Sequence, residues 1–443
     1  MKKLFALIFT LMLCADGFAQ IDVDATDVGL GYARTSVNTA IYRQNALTTC
    51  RDTQFVAFYD SDGFLVLGKR YVGGGEAGQF ELKRSQYKIQ KPDDAHNIIS
   101  IAADGNGYLH VAFDQHSSPL RYCRSVAPYS LTLGNLQPMV EGAQMLERNV
   151  TYPAFHNFSN GDLMFVYRNA NGIVIYRYLL AEQQWRGMSM RLIEYDFAVR
   201  PYWQITVDGN DAIHLSWLWR DNVNDVRTNH GIYYVCSSDY GRTWHTADGK
   251  TVAPPFRRQN MAPVVNIPQN SNLINQTSMA TDPDGRPYIA TYYRKDSITN
   301  YHLIYWDGNR MNDVIVGNRT TDFDLGGVGT LHPPISRPLA ITDGKMVYYF
   351  VRDSQEDSAP TMYYAAIQTG RQPIFHCIHL AADNLDAWEP IVDLALWKQR
   401  HRIHLFVQKT AQQHGDRPTD QPPTMVKVLE ITPNLQETPP RQR

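Results

Sequence analysis

Asp104-Gly105-Asn106-Gly107-Tyr108-Leu109-His110-Val111 is a turn followed by an alternating strand, and the pattern recurs along the chain. Further copies are Asp62-Gly63-Phe64-Leu65-Val66-Leu67, Asn160-Gly161-Asp162-Leu163-Met164-Phe165-Val166, Asp208-Gly209-Asn210-Asp211-Ala212-Ile213-His214-Leu215, Asp284-Gly285-Arg286-Pro287-Tyr288-Ile289-Ala290 and Asp343-Gly344-Lys345-Met346-Val347-Tyr348-Tyr349. A weaker seventh runs Lys398-Gln399-Arg400-His401-Arg402-Ile403-His404-Leu405-Phe406. Asp-Gly and Asn-Gly supply the positive φ of tight hairpin turns. The glycines at 63, 105, 161, 209, 285 and 344 are spaced by 42, 56, 48, 76 and 59 residues. Four-stranded propeller blades repeat every ~40–50 residues, and insertions account for the longer steps. Seven copies predict an all-β, seven-bladed β-propeller. The competing arrangement, ordinary hairpins in two sandwiches, fits seven copies less well than one closed ring.

Composition agrees. Of 443 residues, 43% are hydrophobic and 12% aromatic, enough for a sizeable core, and 26 are Tyr. Charged residues are 19% and the formal net charge is −2, which argues against nucleic acid as partner. Ser237-Ser238-Asp239-Tyr240-Gly241-Arg242-Thr243-Trp244 matches the Asp-box S-x-D-x-G-x-T-W, a hairpin-turn motif of sialidase-type propellers. It marks fold, not sialidase chemistry.

Met1-Lys2-Lys3, the apolar run Leu4 to Leu13 and Gly17-Phe18-Ala19-Gln20 read as a secretory signal over residues 1–19. Cys14 offers a lipid-attachment alternative, against which stands the bulky Leu13 before it. No other run is long enough to span a membrane. The propeller is expected over 20–410. Residues 411–443 form a polar tail in which Met425 to Ile431 supply a possible last strand. A secreted or periplasmic monomer is expected. Cys50, Cys123, Cys236 and Cys377 form no C-x-x-C pair; buried free thiols are the simplest reading, and export permits oxidation.

His96 precedes one apolar strand and His116 ends the next, so antiparallel pairing brings the two imidazoles to one edge. Such a pair suits proton transfer or metal binding; two rim histidines are the bland alternative. Tyr152 and Arg168 stand in the same relation in the next blade, and an Arg there can grip a carboxylate or sulfate. Arg200, Tyr202 and Arg220 repeat the pattern. Arg294 and Arg352 lie at similar strand ends, either completing a cationic ring for an anionic ligand or bracing blades against neighbouring Asp residues. His110 and His214, at equivalent places in their repeats, are expected to pack, as is His404. Asn229-His230-Gly231, Cys236 and His332 are scattered candidate ligands for a structural metal ion, without a compact zinc spacing.

Asp93-Asp94-Ala95-His96-Asn97, the second repeat through His116, Pro119-Leu120-Arg121-Tyr122, Val150-Thr151-Tyr152-Pro153, Asp162 to Arg168 and Ile335-Ser336-Arg337-Pro338 occur in one order. Over about Val37 to Gln408 the chain resembles the BNR-repeat propellers that include ulvan lyases, rhamnose–glucuronate lyases and related α-L-rhamnosidases. The resemblance implies a polysaccharide lyase acting by β-elimination on an anionic rhamnose–uronate glycan, with no cofactor required for the chemistry. It implies His96, His116, Tyr152 and Arg168 as catalytic residues, Tyr152 and a histidine being the acid–base pair and Arg168 neutralising the carboxylate. It implies Asn97, Arg200, Tyr202 and Arg220 at the substrate. A rhamnosidase is the alternative, weakened by Cys50 where those enzymes carry a histidine; a non-catalytic sugar-binding propeller is another.

Overall fold

One carboxylate closes each of four repeat turns. Asp60 Oδ1 accepts the backbone N–H groups of Asp62 and Phe64, both at 3.0 Å. Asp104 does the same for Asn106 and Tyr108, Asp208 for Asn210 and Ala212, and Asp282 for Asp284 and Arg286. These contacts satisfy turn donors that no ladder reaches. The positive φ then falls three residues after the capping acid, at Gly63, Gly107, Asp211 and Gly285. In the second and fourth repeats it is therefore on Gly107 and Asp211, not on the expected Gly105 and Gly209, because the acid just before those glycines starts the turn.

The computed structural model describes residues 20–40, 45–74, 77–195, 199–368 and 370–434. The expected signal segment, residues 1–19, lies outside the described residues. The strands form seven antiparallel sheets, the blades of a seven-bladed propeller. The first blade comprises Leu47–Cys50, Thr53–Tyr59, Phe64–Tyr71 and Glu81–Lys88, and the second Ile99–Ala103, Leu109–Phe113 and Tyr122–Arg124. The third is Val150–Asn157, Leu163–Arg168, Ile173–Leu179 and Gln184–Ser189. The fourth opens with Arg200–Val207, Ile213–Arg220 and Asn229–Ser237. The fifth and sixth occupy 278–316 and 339–379. The seventh orders Ile391–Val392, Ile403–Val407, Thr424–Asn434 and, outermost, Gln20–Gly31. The ring thus closes by pairing the two ends of the described chain. The weak seventh repeat is not a turn: Leu394–Arg400 is a helix, its start capped by Asp393 accepting from Leu396 N at 2.9 Å and its end turned by His401 at φ 52°.

Apolar faces of adjacent blades fill the ring, with Trp217, Trp219, Trp244 and Trp388 almost fully buried. In the Asp-box, Asp239 accepts from Thr243 N and Oγ1, Arg242 N and Ser237 Oγ, and Trp244 packs edge-on against Phe256. His110 and His214 pack as expected and do so identically. Each Nδ1 meets a tyrosine hydroxyl at 2.7 Å (Tyr122, Tyr234), and each Nε2 meets its blade's capping acid (Asp104 at 3.3 Å, Asp208 at 3.1 Å). The four described cysteines are free thiols; Cys50 and Cys123 are buried, Cys236 is half-buried, and Cys377 is exposed, against the expectation of burial.

Burial works to raise the Asp208 carboxyl, but bonds from His214 and the turn amides hold it below its ordinary value. Its stabilisation is therefore complete above the unfolded pKa of ~3.9 and is lost as pH falls through the lower folded value. Asp208→Ala should cost about 2 kcal/mol at pH 7, read as a lower urea midpoint at unchanged m. That gap should narrow once the pH is below about 4.

Candidate active site

The loop before the second blade's inner strand folds back on Asp94, whose carboxylate joins two histidines. Oδ1 lies 2.6 Å from His96 Nδ1 and Oδ2 lies 2.5 Å from His116 Nδ1. The imidazoles stack with centroids 4.2 Å apart and planes at 17°. Burial works to raise the Asp94 carboxyl, yet the two imidazole bonds hold it well below the usual carboxylate range. An ionised carboxylate only accepts, so both Nδ1 atoms donate, and a neutral imidazole in that tautomer is basic at Nε2. Burial depresses His96, keeping it neutral. His116 keeps part of its side chain in solvent (29%). Asp94, His96 and His116 also form the one group among the described residues with ligand atoms mutually within 4.8 Å, close enough to hold a metal ion in place of the Nδ1 protons.

Two irregularities bring Tyr152 to this pair. After Phe113 the chain turns through Asp114 (φ 61°), leaves the second blade, and pairs His116–Ser118 with the inner strand of the third. There Thr151 faces His116. That inner strand bulges between Thr151 and Ala154, where Pro153 cannot donate to a ladder. Tyr152 sits in the bulge at φ 58°, a conformation strained for a bulky residue. Its ring lies 5.8 Å from that of His96. Burial raises the Tyr152 phenol well above its ordinary value, with Arg168, Arg220 and Arg337 opposing, so it is protonated at neutral pH.

Arg168 faces this phenol from the neighbouring strand. Its guanidinium carbon lies 4.9 Å from the Tyr152 ring centre and 5.1 Å from that of Tyr202. Nη1 is buried without a hydrogen-bond partner among the described residues. Arg220, also buried, donates to Asn229 Oδ1 at 2.8 Å, Tyr202 Oη at 3.1 Å and Asn275 Oδ1 at 2.5 Å. Neither arginine has a carboxylate partner among the described residues. Burial favours the neutral Tyr202 phenol, but the charges of Arg220 and Arg168 bring it below its ordinary value. The arrangement is a buried cationic patch beside a protonated tyrosine and a carboxylate-oriented histidine.

A family model for BNR repeat-containing family members matches residues 53–318, more than half of the chain. The chain belongs to this BNR-repeat family. No curated protein matches it. Among solved structures it is similar to the polysaccharide lyase Uly1, at 15% identity over 89% of this chain and 90% of that one, with a TM-score of 0.65. It is similar also to the PL25 ulvan lyase bound to -[GlcA(1-4)Rha3S]-, at 14% identity over 90% and 94% of the two chains, TM-score 0.60. At such identities the likeness is one of fold.

In this BNR-repeat chain His96, His116, Tyr152, Arg168, Tyr202 and Arg220 gather at one mouth. Arg200 stacks on Tyr195 at 4.6 Å. Asn97, expected at the substrate, spends its Nδ2 on the carbonyls of Lys91 and Asp94 and holds the loop. Arg294 is a brace, ion-paired with Asp322 and Asp324; Arg352 binds the carbonyls of Trp388, Pro333 and Pro334. The scattered metal candidates do not converge: His230 pairs with Asp221 and His332 with Asp386. Cys50, in the position expected of a rhamnosidase histidine, lies 3.6 Å from the Asp104 carbonyl, its thiol pKa raised by burial.

Sequence reading passed over Asp94, although a carboxylate two residues before a candidate histidine was a usable signal. It also missed Asn275, which no local pattern distinguishes, and Thr330, whose Oγ1 lies 3.4 Å from His96 Nδ1. Asp94→Asn should release the tautomer. Nitrogen-15 NMR should show His116 protonated at Nδ1 in the parent and mixed in the variant, with circular dichroism unchanged.

Proposed function

We propose that this chain is an exported polysaccharide lyase that cleaves a glycan beside a uronate by β-elimination. The observation that carries this reading is the pair of buried guanidinium groups, Arg168 and Arg220, without carboxylate partners among the described residues and beside the His–Asp–His array. An anionic sugar supplies the missing charge, and Arg168 Nη1 offers a free donor to its carboxylate. Neutralising that carboxylate acidifies the C5 proton. His116 Nε2, left with the free lone pair by the Nδ1 bond to Asp94, takes the proton. The C5–H electrons form the C4=C5 double bond as the C4–O4 bond breaks. Tyr152 Oη gives its proton to the departing O4, and the neighbouring guanidinium steadies the phenolate left behind. The products are an unsaturated uronate and a chain ending in a free hydroxyl. Proton exchange with solvent restores His116 and Tyr152.

Hydrolysis by two carboxylates finds less support. Asp94 is engaged by both imidazoles, and Glu389 pairs with Arg337 at 2.9 Å. The glycan bound to the PL25 ulvan lyase, -[GlcA(1-4)Rha3S]-, contains the uronate that the site chemistry suits, and is the substrate class to try first.

Purified protein on that glycan should produce a rise in ultraviolet absorbance from the conjugated product. Arg168→Ala and His116→Ala should each lower kcat/KM by about 10³-fold without loss of fold. Rhamnose release without an absorbance rise would overturn the lyase reading in favour of a hydrolase. Glycan binding without any product would reduce the chain to a binding module.

A further inference from the structure

Near the mouth, reached along Thr330–His332, lies a cavity that the proposed chemistry does not use. Thr330, in contact with His96, leads within two residues to His332, and an extended dipeptide spans at most ~7 Å. A small cleft lined by Thr330, His332, Arg337 and Glu389 shares His332, Pro333 and Arg352 with this larger cavity. The cavity, between the sixth and seventh blades, has a volume of about 630 Å³. That volume lies within the range of ligand sites. Its lining is polar: His332, Ser354, Ser358, Asp386 and Lys409 contribute, with Arg352 beneath.

Three of these groups are available to a ligand. The Lys409 ammonium and the hydroxyls of Ser354 and Ser358 have no hydrogen-bond or ion-pair partner among the described residues. Asp386 is occupied, its Oδ1 lying 3.3 Å from His332 Nε2. Arg352 is buried and binds three carbonyls, and the carboxylates of Glu389, Asp386 and Asp353 act on its charge from around the floor. Lys409 is therefore the cation of the lining left for a ligand. Two hydroxyls and an ammonium lining one cavity match a pyranose carrying an acidic substituent.

We infer that this cavity is a distal subsite for an anionic sugar residue of the same glycan, set apart from the bond that is cut; the inference rests on the lyase reading of the mouth. The anionic group is a carboxylate or a sulfate. Lys409 holds it, and the two serines bind ring hydroxyls. Such a subsite adds affinity for long chains that short fragments do not gain.

The test compares a tetrasaccharide with a decasaccharide of GlcA(1-4)Rha3S repeats. The parent should show a KM for the decasaccharide about tenfold below that for the tetrasaccharide, and Lys409→Ala or the double variant Ser354→Ala/Ser358→Ala should erase most of this ratio. A ratio unchanged in both variants would overturn the subsite. Removing the sulfate from the decasaccharide assigns the anion: loss of the length advantage places a sulfate on Lys409, and retention places a uronate there. If no glycan yields an unsaturated product, the lyase reading fails separately. Calorimetric binding of the same decasaccharide then decides the cavity. Weakening by about tenfold in Lys409→Ala supports it, and equal affinity refutes it.

Discussion

Backbone pairing of Gln20–Gly31 with Thr424–Asn434 turns seven sheets into a ring. Without it the seventh blade would expose the long edge of Thr424–Asn434. With it each blade packs between two neighbours, and seven inner strands must converge on one axis. The contact is also the most distant in sequence, so the ring completes only once the chain ends have met. Every other feature of the site presupposes this closure. His96 precedes the second blade, His116 has crossed from it to pair with the third, Tyr152 and Arg168 lie in the third, and Tyr202 and Arg220 in the fourth. No single blade holds the constellation.

Convergence alone would not give this geometry. Regular antiparallel strands would carry His116 outward with its own blade. Instead Asp114 turns the chain, and His116–Ser118 pairs with the third blade. A regular inner strand would also alternate Tyr152 between faces in fixed register. The Pro153 bulge breaks that register and leaves Tyr152 at positive φ against the histidines. The ring over-determines both residues, and the strain sits where proton transfer is proposed.

The fold was readable because the turn chemistry repeats. An Asp accepting two amides and a left-handed residue three positions later leave an Asp/Asn/Gly signature that survives insertion. Where the repeat is replaced, as by the helix Leu394–Arg400, the signature misled. The site was half readable for a related reason. His96, His116, Tyr152 and Arg168 sit at strand ends, whose placement follows from hairpin pairing. Asn97 looked equivalent by sequence, but its side chain closes the loop that carries it. Asn275 lies outside every strand and reaches Arg220 from the connection between the fourth and fifth blades, so nothing in local periodicity could place it.

The treatment of charge around the mouth differs by sector. Toward the sixth and seventh blades each buried arginine with a carboxylate in reach is cancelled: Arg337 by Glu389, and Arg319 by Asp353. Toward the third and fourth blades the acceptors are neutral. Arg220 is held by two amide oxygens and a phenol, and Arg168 lies over two tyrosine rings. Burying a cation without a counter-charge costs several kcal/mol, and hydrogen bonds to neutral oxygens offset only part of that. A carboxylate at Asn229 or Asn275 would stabilise the empty protein further. It would also spend the charge that an incoming uronate needs. Neutral acceptors fix both guanidinium groups in place while leaving their charge unspent, so the sector of the ring least satisfied by its own side chains is the one proposed to take the substrate's carboxylate.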